Sequence, residues 1–150
     1  MKTLFDVQLA NDLKDRMGRL RPESERQWGQ MNAAQALAHC ASGIDMASGD
    51  LKLPRAFIGY MIGGLVKMKV MADDEPIRRN APTAKELVVS NARDLEVERE
   101  RLRGLIDNFL AKGTSGCTQH PHPFFGKLKP EEWGILMYKH LDHHLRQFGV

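Results

Sequence analysis

Apolar residues recur every three or four positions through four separate stretches of this chain, and no stretch alternates convincingly as a strand would. A chain patterned this way buries its apolar surface by packing helix on helix. The first stretch predicts a helix from about Thr3 to Leu20, with Phe5, Leu9, Leu13, Met17 and Leu20 on one face. A connection, RPESERQWGQM, follows, and Pro22 discourages helix at Arg21. The second helix starts near Asn32, a good N-cap residue, and carries Ala33, Ala36, Leu37, Cys40, Ile44 and Ala47 before SGD ends it. Pro54 fits the first turn of a shorter helix reaching Met71, whose Gly59, Gly63 and Gly64 lower helicity but permit close packing. ADDEPIRRNAP reads as a loop. TAKE, Thr83 to Glu86, has the spacing of a capping box. It predicts the start of a long helix that ends at Lys112, with Val88, Ala92, Leu95, Leu102, Leu105, Ile106 and Phe109 inward. The charged run RDLEVERERLR reads as its solvated face. After a second loop, Pro130 opens the last helix, with Glu131 and Glu132 near its positive end. The expectation is a single all-α domain over residues 1–150: an antiparallel four-helix bundle with an additional short helix in a long middle connection.

The 150 residues suit one domain, and a hydrophobic fraction of 42% supports a real core. The net charge of +3 is mild and spread along the chain, with no Lys/Arg stripe interleaved with aromatics, so nucleic acid is not an expected partner. The N-terminus turns polar too early for a secretory signal. The most apolar window, AFIGYMIGGLV, is about half of what a bilayer span requires. A soluble, cytoplasmic protein is expected, without a membrane partner. Cys40 and Cys117 form no CxxC pair, and a disulfide framework is not expected.

Three of the six histidines, His140, His143 and His144, fall within five residues of the last helix. On a helical wheel with Trp133 at zero, Leu136, Met137, Leu141 and Phe148 lie between about −60° and +80°. His140 falls at about −20° and His144 at about +20°, in the middle of that apolar face. His143 falls at its edge, near −80°, while Asp142 and Arg146 point away toward solvent. Two imidazoles one turn apart on an inward face can share a divalent ion. They can equally be buried histidines satisfied by hydrogen bonds. A metal site would need a further ligand. His39 lies on the flank of the second helix's apolar stripe, and His120 and His122 sit in the loop TQHPHPFFG, which would have to fold back.

The segments WGQMNAAQALAH, ending at His39, and HLDHHLRQ, from His140 to Gln147, resemble the DinB/YfiT-like superfamily. HPFFGKLKPEEW with YKHLDHHLRQF resembles an uncharacterised bacterial branch of it, over nearly the whole chain. The resemblance implies a DinB-like four-helix bundle in which His39, His140 and His144 ligate a divalent metal, zinc or nickel. It also implies chemistry on a small molecule, by metal-dependent hydrolysis or by transfer of a low-molecular-weight thiol. Gln147 matches a frequent polar position of the family. The segment from Pro54 to Met71 and the HPHPFFG loop are not general features of the superfamily.

Around these residues, Gln35 and Gln147 are candidates for orienting a ligand ring, or ordinary polar helix residues. His143 is a candidate proton shuttle or a solvated edge residue. The competing functions are a metal-dependent hydrolase or thiol transferase, a non-catalytic bundle with a structural metal, and an interaction module. In the last case AFIGYMIGGLVKM is the packing surface, and the same segment is a candidate homodimer face.

Overall fold

Asp6 sets where the first helix begins. Its extended backbone and its carboxylate, which accepts from the amides of Gln8 and Leu9, make it the N-cap of α1 (Val7–Gly18). The expected start at Thr3 is therefore too early. Residues 3–6 instead form a turn, closed by the Asp6 amide donating to the Thr3 carbonyl; Leu4 donates to the Gly134 carbonyl of the last helix, and Phe5 stacks on Phe109 of the long helix before it. The computed structural model describes residues 1–150 as five α-helices with no strand.

Asn32 caps α2 (Ala33–Ser48) in a full capping box with Gln35. Nearly every residue of α2 is buried, and small side chains at Ala33, Ala36, Ala41 and Ala47 let neighbours approach closely. α3 (Phe57–Val70) occupies the middle connection as a short extra helix. α4 (Leu95–Lys112) starts eleven residues later than TAKE suggests, because Asp94 rather than Thr83 is its cap and accepts from the Val97 amide. Residues 85–87 make a single 3-10 turn, and Val88 and Ala92, expected in the core, are exposed. α5 (Pro130–Gln147) has Pro130 at its first position, and the Glu132 carboxylate accepts from the Lys129 amide at 2.7 Å.

Helix α2 packs against α4 and α5, and α1 packs against the same two. Leu4, Leu13, Met17, Ile44, Leu102, Ile106, Trp133 and Leu141 fill the interior between them. No helix is long and apolar enough to cross a membrane.

The charged run of α4 is not wholly solvated. Glu98 and Arg99 are buried. The Arg99 guanidinium donates to the carbonyls of Met17 and Leu20, closing the C-terminal end of α1 with a cation where the helix dipole favours one. Glu98 is held by Arg93 and Arg101. Lys139 does comparable work for the connection: its buried ammonium donates to the Val70 and Glu75 carbonyls, fastening the end of α3 to α5.

Candidate metal centre

Three imidazoles meet where α2 and α5 face each other. His39 comes from the middle of α2, and His140 and His144 come from successive turns of α5. Their candidate ligand atoms all lie within 4.8 Å of one another, and Nε2 of His39 is 2.8 Å from Nε2 of His140. His39 is buried, while His140 and His144 are partly exposed.

The proton positions follow from the hydrogen bonds. His39 Nδ1 lies 2.8 Å from the Leu87 carbonyl oxygen, which can only accept, so Nδ1 carries the proton and Nε2 presents a lone pair. Gln147 donates its amide nitrogen to the Trp28 carbonyl at 2.6 Å, which fixes the amide and turns its oxygen toward His144. His144 Nδ1 donates to that oxygen at 2.9 Å, leaving its Nε2 free as well. Two of the three rings are thus held by partners of the kind that orient metal-ligating histidines. His140 keeps a choice between donating from Nε2 to His39 and offering Nε2 as a lone pair. Its Nδ1 faces Gly43, where a Cβ would stand 2.9 Å away. The missing side chain at Gly43 is what lets the ring sit against α2.

Burial holds all three rings neutral. It lowers the pKa of His39, drives His140 well below the ordinary imidazole value with help from the neighbouring histidines, and takes His144 down to about 3. Neutral imidazole is the form that ligates metals. A tetrahedral ion with Zn–N bonds of 2.0–2.1 Å needs nitrogens about 3.3 Å apart, inside the range this cluster spans. The three histidines can hold a metal ion.

The other candidates sit elsewhere. His143 is buried rather than a solvated edge residue. Its Nδ1 donates to the Ile77 carbonyl at 3.1 Å and its Nε2 accepts from the Trp28 indole at 3.4 Å, so neither nitrogen is free to shuttle protons. Gln35 is spent on its capping box and on the Asn91 carbonyl, away from the cluster. Asp142 is buried, bound by Arg16 at 2.8 Å and Arg146 at 2.7 Å, and does not face solvent as the wheel suggests. Cys40 is fully enclosed, and burial raises the Cys117 thiol to about 11, so neither is an activated nucleophile.

His120 and His122 do not join the cluster. His120 Nε2 bonds the Leu53 carbonyl at 3.0 Å. His122 Nδ1 accepts from the amides of Phe124 and Phe125, and its backbone pairs with Gly126, so it shapes the HPFFG loop. Burial lowers its pKa to about 4. The unfolded imidazole takes its proton near 6.5 and the folded one only near 4, where protonation would also block both amide bonds. Its contribution to stability is complete above pH 6.5 and is lost progressively down to pH 4, about 3 kcal/mol in all. Denaturant titrations between pH 7.5 and 4.5 should therefore fall more steeply for the native chain than for His122→Asn. Parallel curves would contradict this role.

Beside the cluster, between α1, the 27–28 segment, residues 76–79 and the end of α5, lies a cavity of about 530 Å³. Arg16, Trp28, Ile77, Arg79, His143 and Arg146 are among its walls. The His143 ring, 5.1 Å from that of His144 between centroids, stands between the cavity and the cluster. Arg79 lies 4.3 Å over the Trp28 ring.

The middle connection, which carries no helical pattern over residues 71–84, supplies the Leu87 and Ile77 carbonyls that fix His39 and His143. Backbone carbonyls have no residue-type signal, so nothing in the sequence marks them. A family model described as a protein of unknown function, DUF1569, matches residues 5–149. No curated protein and no solved structure matches the chain.

Proposed function

The chain belongs to the DUF1569 family, and we propose that it is a DinB-like metal protein that binds one divalent ion, zinc or nickel, at His39, His140 and His144 and acts on a small molecule. The observation that carries this reading is the proton arrangement: Leu87 and Gln147 hold the Nδ1 protons of two rings so that their Nε2 lone pairs face the third.

An ion held by three neutral nitrogens keeps its full charge and an open position, and so supplies Lewis acidity toward water or a thiol. The chain's own residues do the rest. Gln147 bonds both the His144 ring and the Trp28 carbonyl, so the ligand ring is tied to the backbone of a cavity-wall residue. The cavity volume is that of a small-molecule site. Three guanidiniums reach it. Asp142 holds two of them, Arg16 and Arg146, while Arg79 forms no ion pair and rests on Trp28. This composition favours a substrate or thiol that carries a negative charge. No carboxylate stands free beside the cluster as a general base, which favours chemistry in which the thiol or water is activated at the ion itself.

A structural metal is the second reading. It is favoured by the absence of the three ligand histidines from the cavity walls. A cobalt- or nickel-loaded sample separates the two. If the site is open, small thiols and carboxylates shift its visible spectrum without removing the ion. A spectrum that ignores them leaves only the structural role, and a chain that takes up no divalent ion removes both.

A further inference from the structure

Helix α3 has two apolar faces, and the protomer covers one. With Phe57 at zero on a helical wheel, Gly59, Gly63, Val66 and Val70 gather near 210°. That side lies on the loop before α5. Gly59 and Gly63 are buried, and a Cβ at either would collide with the Phe124 backbone. Ala56 donates to the Pro123 carbonyl at 2.9 Å, and Lys67 reaches the Lys127 carbonyl and Glu132.

The opposite side carries Phe57, Tyr60, Met61, Leu65 and Met68, which are 65–80% exposed, with Ile58 and Ile62 beside them. A helix that is apolar all round belongs in an interior. These seven side chains leave on the order of 800 Å² in water, more than the largest apolar patch of a typical monomer. The same figure is about one partner's share of a standard-size interface.

The charges favour a second copy of the chain. The middle of the face has none. Lys67 turns back to Glu132, and the Arg55 guanidinium lies 4.1 Å over the Tyr60 ring while donating to the Gly59 carbonyl. Lys69 is left at the rim. A neutral, apolar centre can meet its own copy across a two-fold axis without like-charge repulsion. A helix that lies on a membrane pairs its apolar face with a basic polar one; the reverse side of α3 is instead glycine packed on protein. Gly64 sits within the exposed stripe, and a Cβ there would meet nothing. It lowers helicity without any close packing inside the protomer, and it leaves a notch among large side chains.

We propose that the outer face of α3 is the interface of a homodimer, in which the α3 helices of two copies pack together and each Gly64 notch receives a large side chain of the other. Sedimentation of the full chain at micromolar concentrations should give twice the 17.0 kDa protomer mass. Met61→Glu and Leu65→Glu should weaken association by about a hundredfold or more, because each places a charge in the apolar centre twice. Both should keep the helical circular dichroism and metal content of the native chain, since the two side chains point to solvent in the protomer. Val97→Glu, an exposed apolar position on α4, should remain dimeric. Met61→Cys gives a second measure. Cys40 and Cys117 are buried, so mild oxidation with a soluble disulfide should link two chains only if the α3 helices face each other. A monomeric native chain, or a dimer indifferent to both glutamates, overturns the proposal. So does a monomer that floats with phosphatidylcholine–phosphatidylglycerol vesicles, which would assign the face to lipid.

Discussion

Alanine at His140, His144 or His39 should abolish divalent-metal binding, while alanine at His143 should leave about one ion per chain. The three proposed ligand positions are not redundant. With one imidazole removed, two nitrogens remain on a site that has no carboxylate or thiolate to replace it, and a two-ligand site does not hold zinc or nickel against dilution. His143 is adjacent to His144 in sequence, yet its nitrogens are taken by Ile77 and Trp28. Gln147→Ala should give an intermediate result, a tenfold to hundredfold loss of affinity, because it frees the His144 ring without removing a ligand. Metal content after dialysis, measured on folded variants, reads all five. Retention by His144→Ala together with loss by His143→Ala would show that the wrong face of α5 had been assigned. Retention by His39→Ala would put the third ligand elsewhere.

The α5 half of that cluster is legible in the sequence because a helix translates spacing into direction. His140 and His144 lie one turn apart among Trp133, Met137 and Leu141, and the wheel places them together. His39 is legible only as a flank residue of α2, and the family resemblance, not its spacing, singles it out. The start of α4 shows how a local signal is overridden. TAKE has the spacing of a capping box, but a helix from Thr83 would draw Leu87 into its own ladder. The structure instead spends that carbonyl on His39 and lets Asp94 cap a shorter helix.

The charged residues were the least legible. The wheel correctly separates Asp142 from the apolar stripe but cannot see that α1 covers that side with Arg16. Arg99 is similar: it looks like one more charge in a solvated run, and it is the buried cation that ends α1. In both cases the partner lies more than 75 positions away in sequence, beyond the reach of local pattern. The exposed α3 face is a reverse case. Its apolar pattern marks a packing surface, and only the structure shows which half of it the protomer leaves uncovered.

Asp142→Ala should be among the most damaging substitutions outside the core, costing about 3 kcal/mol. The carboxylate is 6% exposed and joins two elements: Oδ1 takes Arg16 of α1 at 2.8 Å, and Oδ2 takes Arg146 of α5 at 2.7 Å. Arg16 also donates to the Val150 carbonyl at 3.0 Å, so the same guanidinium ties α1 to the segment after α5. Removing the carboxylate leaves a mostly buried cation whose remaining acidic neighbour, Asp12, is 3.6 Å away and largely in water. For a chain of this length the loss corresponds to a melting point lower by roughly 10 °C. Arg146→Ala should cost less than about 1 kcal/mol, since that side chain is half in solvent. The asymmetry between the two is the signature of a buried pair rather than a surface one. Combining Asp142→Ala with Arg16→Leu should recover part of the loss, because it removes the stranded charge as well as its partner. A single Asp142→Ala variant that melts within a degree of the native protein would mean that Arg16 finds water when its carboxylate is gone, and that the α1–α5 contact rests on its apolar residues alone.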